Sequence, residues 1–220
     1  MLGFYNYTVI ATYLSLAISL SGMLFAAAGK THWAVICLML SGLLDAFDGK
    51  IARTKKDRSV REQRFGVQID SLCDLVCFGV LPVIIGYFAA PHGLNSVLFY
   101  IYAVCGVLHV LGGVIRLSFF NIGEEEKRDQ GIKVERSTYT GMPITTVALI
   151  YPIIYLFRRP LADHPDLFTA IWSFAMLAIA FLFVGKFHIR KPTNKGIIIL
   201  IVFGAVIACG IGFIYGICSK

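Results

Sequence analysis

Residues 43–79 read LLDAFDGKIARTKKDRSVREQRFGVQIDSLCDLVCFG, in which two apolar segments flank a strongly basic one. Four aspartates, Asp45, Asp48, Asp70 and Asp74, lie where those apolar segments meet the basic linker. An aspartate at the centre of a bilayer costs about 2.5–3.5 kcal/mol on insertion scales, so four of them beside apolar helices point to a function. The stretch predicts two membrane helices that carry carboxylates at one shared end.

The composition of the whole chain is that of a membrane protein. Of its 220 residues 57% are hydrophobic and only 15% are charged, and the mean hydropathy is +0.75. A membrane-spanning helix needs about 20 apolar residues. Seven blocks approach that length, at approximately 7–28, 33–52, 67–89, 97–120, 140–157, 167–185 and 197–217. We therefore expect an all-α, polytopic membrane helix bundle with a six-helix core and a seventh, C-terminal helix.

The basic residues indicate how the bundle is oriented. The loop after the second helix and the loop after the sixth are rich in lysine and arginine (Arg53, Lys55, Lys56, Arg58, Arg61 and Arg64; Lys186, Arg190, Lys191 and Lys195). The other side carries only Lys30, Arg158 and Arg159. Basic loops favour the cytoplasm, so we expect these two loops and the N-terminus to be cytoplasmic. The net charge of +7 then indicates contacts with anionic lipid headgroups, and no nucleic-acid partner is expected.

The spacing of the aspartates indicates that their side chains converge. Asp45 and Asp48 are three residues apart, and Gly66, Asp70 and Asp74 follow one another at intervals of four, so each set lies on one helix face. The basic loop lets the two faces meet just below the cytoplasmic surface. A cluster made only of carboxylates suits Mg²⁺ or Mn²⁺ rather than zinc. The alternative is that the aspartates are hydrated at the interface and offset the neighbouring lysines.

Small and basic residues beside the carboxylates favour a metal and phosphate site over that alternative. Gly49, Ala52 and Gly66 remove side-chain bulk and leave room for a ligand to approach the backbone. Arg53 and the basic loop after it supply the positive charge that a phosphate group requires.

The segment DAFDGKIAR at 45–53, followed by Gly66, Asp70 and Asp74, resembles the signature of the CDP-alcohol phosphotransferase family. That signature is Asp-x2-Asp-Gly-x2-Ala-Arg, a spacer, and Gly-x3-Asp-x3-Asp. All eight fixed positions are present, and the spacer is longer than is common in the family. The resemblance implies displacement of CMP from CDP-diacylglycerol by an alcohol, in a membrane fold that is usually a homodimer. It implies one domain over 1–220, with a core at about 7–195.

The resemblance also implies roles for the signature residues. Asp45, Asp48 and Asp70 would bind two divalent ions, Mg²⁺ or Mn²⁺. Asp74 would contribute to the metal site and act as the general base. The remaining positions would bind the nucleotide: Gly49, Ala52 and Gly66 would line the cytidine pocket, and Arg53 would lie near the phosphates.

Three further segments resemble the phosphatidylserine synthase branch: IDSLCDLVCFGVLP at 69–82, RLSFFN at 116–121 and TYTGMPIT at 138–145. They imply L-serine as the acceptor, phosphatidylserine and CMP as the products, and Arg116 and Asn121 as contacts to the acceptor or a phosphate. Two positions depart from that branch, Phe119 in place of an arginine and Thr145 in place of a proline.

Several alternatives remain open at this point. The same chemistry with glycerol 3-phosphate or inositol phosphate would leave the signature unchanged. A more remote alternative is a cation-coupled transporter, but transporters place such carboxylates near the bilayer midplane on broken helices of paired repeats. Arg116 could instead be an interfacial anchor, and His109, inside an apolar helix, is expected to be a packing residue.

Overall fold

Helices form most of this chain. The structure is a computed structural model that describes residues 3–4, 7–52, 57, 59–90, 96–129, 138–190 and 194–216. Its elements in chain order are α1 (Ile10–Ala27), α2 (Thr31–Ala52), α3 (Val60–Asp74), a π-helical segment (Leu75–Val80), α4 (Leu81–Ala89), α5 (Ser96–Asp129), β1 (Thr138–Thr140), α6 (Val147–Leu156), α7 (Pro165–Val184), β2 (His188–Arg190) and α8 (Asn194–Gly216). The π-helical segment joins α3 and α4 into one continuous rod.

The predicted all-α membrane bundle is confirmed. Five helices are long and apolar enough to cross a membrane, namely Ile10–Ala27, Thr31–Asp48, Val60–Ala89, Val97–Glu126 and Pro165–Val184. Two shorter apolar stretches complete the seven rods in the described part of the chain: Ile144–Leu156, a 3-10 turn (Ile144–Thr146) followed by α6, and Leu200–Tyr215, which lies within α8. The chain is an integral membrane protein.

Three helix boundaries differ from the predicted ones. The rod that contains α3 begins at Val60 rather than 67, because the Ser59 side chain accepts a hydrogen bond of 3.1 Å from the Glu62 backbone N–H and caps a polar first turn. The helix α5 continues past residue 120 to Asp129. The fifth predicted helix was expected from residue 140, but β1 occupies that position and α6 begins at Val147.

Small residues bring the helices together. A Cβ built on Gly42 of α2 would lie 2.5 Å from Cβ of Ala148 in α6, and one on Gly22 of α1 would lie 2.9 Å from Cβ of Cys37. Lipid tails are as apolar as the side chains, so membrane helices associate through close van der Waals packing and hydrogen bonds. These glycines permit the backbone contact that packing of this kind requires.

A seam of hydroxyl groups also joins α1 to α2. The Ser15 hydroxyl donates to the Ser41 carbonyl at 3.3 Å, and the Ser41 hydroxyl donates to the Ser15 carbonyl at 3.1 Å. The Ser19 and Ser41 hydroxyl oxygens are 2.8 Å apart. All three serines are buried, so these polar groups are paired within the bundle instead of with water.

A short antiparallel pair, β1 with β2, closes one end of the bundle. Thr138 pairs with Arg190 and Thr140 with His188, and Gly141 N–H donates to the Phe187 carbonyl at 2.7 Å. Gly141 has a φ of +75°, which a residue with a Cβ rarely adopts. The pair joins the connection before α6 to the connection after α7, and we call this the strand end.

The opposite end is tied together by two arginines, and we call it the arginine end. Arg158 Nε donates to the Ala89 carbonyl at the end of α4 (2.8 Å), and Arg159 Nη1 donates to the Ile214 carbonyl near the end of α8 (2.6 Å). Both carbonyls lie in the last turn of their helix, where no later backbone N–H of the same helix is available to bond to them. Thr31, which begins α2, bonds to Tyr155 at 2.7 Å at this same end. The helix α2 therefore starts at the arginine end and finishes at the strand end.

Candidate active site

Three of the four predicted carboxylates meet between α2 and α3. Asp45 projects from α2, Asp70 and Asp74 project from α3, and one oxygen from each lies within 4.8 Å of the other two. Two oxygens on opposite sides of one Mg²⁺ are about 4 Å apart, so this spacing is one that a divalent cation can bridge. All three residues are partly buried. The predicted convergence of the carboxylates is therefore present for these three residues.

Asp48 occupies a separate position beside this group. Its side chain is 8% exposed, and its Oδ2 accepts a hydrogen bond of 3.3 Å from the Thr12 hydroxyl on α1. Asp48 is not among the three carboxylates that lie within 4.8 Å of one another. Thr12 was not predicted as a site residue, because no motif in the sequence relates α1 to the aspartates of α2.

The predicted nucleotide-binding residues lie near the carboxylates in the chain. Gly49 and Ala52 belong to the last turn of α2. Gly66 lies on α3, one turn before Asp70, and is partly buried. Arg53 falls outside the described residues. The small residues of the motif therefore stand at the strand end of the two helices that carry the aspartates.

The residues predicted to contact the acceptor lie on α5. Asn121 is buried, and its Oδ1 accepts a hydrogen bond of 3.0 Å from the hydroxyl of Ser71, the neighbour of Asp70. Arg116 is partly buried on the same helix. Phe119, which stands where the phosphatidylserine synthase branch has an arginine, is 63% exposed. Ser71 was missed from the sequence, since a serine beside a motif aspartate carries no signal of its partner on another helix.

The chemistry of the three-carboxylate group fits a hard divalent cation. Its donors are oxygen atoms only, the kind of ligand that Mg²⁺ and Mn²⁺ prefer. Three carboxylates held this close in a partly buried place repel one another, and a cation offsets that repulsion. The group could therefore hold a metal ion.

Comparison with known families agrees with this geometry. The model of the CDP-alcohol phosphatidyltransferase family matches residues 5–185, which include all four aspartates and every described residue discussed in this section.

Several curated proteins are similar in sequence to the chain. An archaetidylserine synthase of Methanothermobacter thermautotrophicus is 31% identical over 184 residues, which cover 84% of this chain and 66% of that protein. A CDP-diacylglycerol–serine O-phosphatidyltransferase of Bacillus subtilis is 33% identical over 130 residues, covering 59% of this chain and 64% of that protein. A CDP-diacylglycerol–serine O-phosphatidyltransferase of Helicobacter pylori is 27% identical over 152 residues, which cover 69% of this chain and 58% of that protein. The chain thus spans less than two thirds of the length of each of these relatives.

Proposed function

Because this chain belongs to the CDP-alcohol phosphatidyltransferase family, we propose that it transfers the phosphatidyl group of CDP-diacylglycerol to the hydroxyl of L-serine and releases CMP. The observation that carries the proposal is the meeting of Asp45, Asp70 and Asp74, three fixed positions of the family motif, within 4.8 Å of one another. A group of this kind suits the handling of a metal-bound diphosphate.

Serine is proposed as the acceptor on two grounds. The names of the three relatives above share serine, although they differ in the lipid part, archaetidyl in one and phosphatidyl in the others. The segments at 69–82, 116–121 and 138–145 also resemble the serine branch. Phe119, which departs from the serine branch, is exposed on the surface of the chain rather than buried in its core. Arg116 and Asn121 are the proposed contacts to serine or to a phosphate.

The metal-binding residues proposed here are Asp45, Asp48, Asp70 and Asp74, holding two ions of Mg²⁺ or Mn²⁺. When bound, such ions neutralise charge on the diphosphate and make CMP a better leaving group. Thr12 would hold the Asp48 carboxylate in one orientation through its hydroxyl.

The chain's own residues would then position the substrates and move one proton. Gly49, Ala52 and Gly66 would leave space for the cytidine, and Arg53 would contact its phosphates. The serine oxygen forms a bond to the phosphorus that carries diacylglycerol, and the bond from that phosphorus to CMP breaks. Asp74, one turn further into the membrane than Asp70, accepts the hydroxyl proton as general base.

We further propose that the site faces the cytoplasm, that the N-terminus is cytoplasmic and that the enzyme is a homodimer with one domain over 1–220. The basic residues between α2 and α3 support the orientation. The acyl chains of the donor would remain in the bilayer while its headgroup reaches the aspartates.

The test is an acceptor panel with the purified chain in lipid nanodiscs. CDP-diacylglycerol and Mg²⁺ or Mn²⁺ are supplied with L-serine, glycerol 3-phosphate or inositol phosphate, and lipid products are identified by mass spectrometry. Of the three acceptors, we expect only serine to react, giving phosphatidylserine and CMP. We expect no product in EDTA or from the Asp45→Asn variant. If a lipid product formed only with glycerol 3-phosphate or inositol phosphate, serine would be refuted as the acceptor, but the phosphatidyl-transfer reaction would stand. A CDP-linked archaeal lipid in parallel tests the donor.

A further inference from the structure

The rod that carries Asp70 and Asp74 changes its helical geometry directly after Asp74. Over Leu75–Val80 it is π-helical, and the Leu81 N–H donates to the Val76 carbonyl five residues earlier. π-Helical segments are rare inside α-helices, and those that do occur often lie at functional sites. This one separates the part of the rod that holds the carboxylates from the part that packs into the bundle.

Pro82 removes one backbone donor from this rod. It lies four residues after Phe78, at the position whose N–H would bond to the Phe78 carbonyl in a regular α-helix. Proline has no N–H, so that bond cannot form. Phe78 is fully buried, and a buried carbonyl in the hydrocarbon region needs a donor from elsewhere.

His109 of α5 is placed to be that donor. Its Nε2 lies 3.3 Å from the Phe78 carbonyl oxygen, and its Nδ1 lies 3.4 Å from the Tyr151 hydroxyl on α6. A carbonyl only accepts, so Nε2 carries the hydrogen, and Nδ1 then accepts from Tyr151. The imidazole is 0% exposed. Tyr151 is fixed in turn by a stack on Trp172, with ring centroids 4.9 Å apart.

We propose that His109 is a positioning residue for the carboxylate site. It supplies the hydrogen that Pro82 cannot, holds the π-helical segment in its observed geometry and thereby fixes the direction in which Asp70 and Asp74 face Asp45. The catalytic part of this proposal rests on the proposed function, whereas the contact between His109 and Phe78 does not. Because the polar contacts of His109 described above are with Phe78 and Tyr151 and not with the carboxylates, its effect would reach the site through the backbone of the rod.

The first experiment measures metal binding directly. Wild type, His109→Phe and His109→Gln are prepared in nanodiscs, and Mn²⁺ affinity is measured by electron paramagnetic resonance alongside kcat and KM. Loss of one hydrogen bond inside a membrane helix bundle typically changes an equilibrium constant by a factor of roughly 3 to 15. We expect His109→Phe to weaken Mn²⁺ binding and lower kcat by about that factor with the KM for CDP-diacylglycerol unchanged, and His109→Gln, which keeps a donor, to retain most of both.

A matched control separates positioning from general stability. The Tyr102 hydroxyl of α5 donates to the Val83 carbonyl of α4, which is another side-chain bond to the backbone of the same rod but lies beyond the π-helical segment. Tyr102→Phe should lower the unfolding temperature as His109→Phe does, yet leave Mn²⁺ affinity unchanged. Equal effects of the two variants on Mn²⁺ affinity would overturn the proposal.

The second experiment restores the missing backbone donor. Pro82→Ala returns an N–H to position 82, so His109→Phe should reduce unfolding stability and Mn²⁺ affinity less in that background than in the wild type. Additive effects would overturn the proposal. If the wild type bound no Mn²⁺ or made no lipid product, the proposed function would fail, and the stability cycle would still decide whether His109 replaces the donor lost at Pro82.

Discussion

The hydroxyl of Thr12 donates a hydrogen bond of 3.3 Å to Asp48, a residue 36 positions later in the chain. Groups that orient metal ligands typically contribute 10- to 100-fold to metal affinity. If Asp48 is a ligand, Thr12→Val, which keeps the shape and removes the hydroxyl, should weaken Mn²⁺ binding by about 10-fold or more. Thr12→Ser, which keeps the hydroxyl, should bind nearly normally. A Mn²⁺ titration followed by electron paramagnetic resonance compares them, and equal affinity of Thr12→Val and wild type would show that Asp48 needs no such support.

Replacing Asp74 should mainly reduce turnover, whereas replacing Asp45 should also reduce substrate binding. Asp74→Asn can still offer an oxygen to a metal but cannot accept a proton, and general-base assistance is typically worth 10²- to 10⁴-fold in rate. We expect turnover by Asp74→Asn to fall by at least about 100-fold while binding of CDP-diacylglycerol changes much less. Asp45→Asn should lose binding more strongly. Both quantities are measured for both variants in one detergent and at one metal concentration, and near-normal turnover by Asp74→Asn would remove it as the base.

At the scale of single residues, the sequence predicted the site where its members are close in the chain. The intervals within 45–53 and 66–74 predicted two carboxylate faces, and Asp45, Asp70 and Asp74 do meet. The partners of these residues could not be predicted in this way. Thr12, Ser71 and His109 each act on a residue of another helix, and such a contact depends on how the helices pack, which hydropathy and motif spacing do not determine.

At the scale of elements, the contact between α2 and α6 depends on Gly42. A Cβ there would lie 2.5 Å from Cβ of Ala148, so Gly42→Ala must push the helices apart. Overpacking of this kind typically costs about 1–3 kcal/mol, and Gly42 is three residues from Asp45, so activity should fall as well. Gly212→Ala on α8, where nothing lies within 4 Å, is the matched control. Unfolding midpoints of the two variants in detergent are compared, and equal midpoints would contradict the importance of this close contact between α2 and α6.

The elements that were predicted less well are those with little hydropathy signal. The first turns of α3 contain Arg61, Glu62 and Arg64, so an apolar pattern begins only later, and the cap at Ser59 is what starts the helix. The pairing of β1 with β2 joins residues about fifty positions apart, with three residues in each strand. No local pattern marks such short strands, so hydropathy alone predicts a helix from residue 140.

At the scale of the whole molecule, the fold explains the two arginines that oppose the charge asymmetry. Arg158 and Arg159 donate to the Ala89 and Ile214 carbonyls, so both have a structural role at the arginine end. The basic residues between α2 and α3 are then the stronger guide to orientation, and they favour the proposed cytoplasmic position of the strand end.

Labelling of single cysteines tests this orientation. Asp57 precedes α3 and Asp163 follows α6, at opposite ends of the bundle, and both are exposed. The six native cysteines are replaced, one cysteine is placed at either position, and intact cells are treated with a membrane-impermeant maleimide. We expect Asp163→Cys to be labelled in intact cells and Asp57→Cys only after lysis, with activity retained in both. The reverse pattern would place the carboxylates outside the cell.

The π-helical segment gives the rod from Val60 to Ala89 an angular offset between its two halves. Each residue of a regular helix turns the chain by about 100° and advances it by 1.5 Å. Each hydrogen-bonded turn of the segment holds one residue more than an α-helical turn, so deleting one residue within 75–80 would give a regular helix in which Asp70 and Asp74 keep about the same phase relative to α4. Exchange of one apolar residue for another leaves that phase intact. If the same residues formed a regular α-helix with none deleted, Asp70 and Asp74 would instead turn by about 100° away from Asp45, so the π-helical geometry is what keeps the carboxylates together at the present chain length.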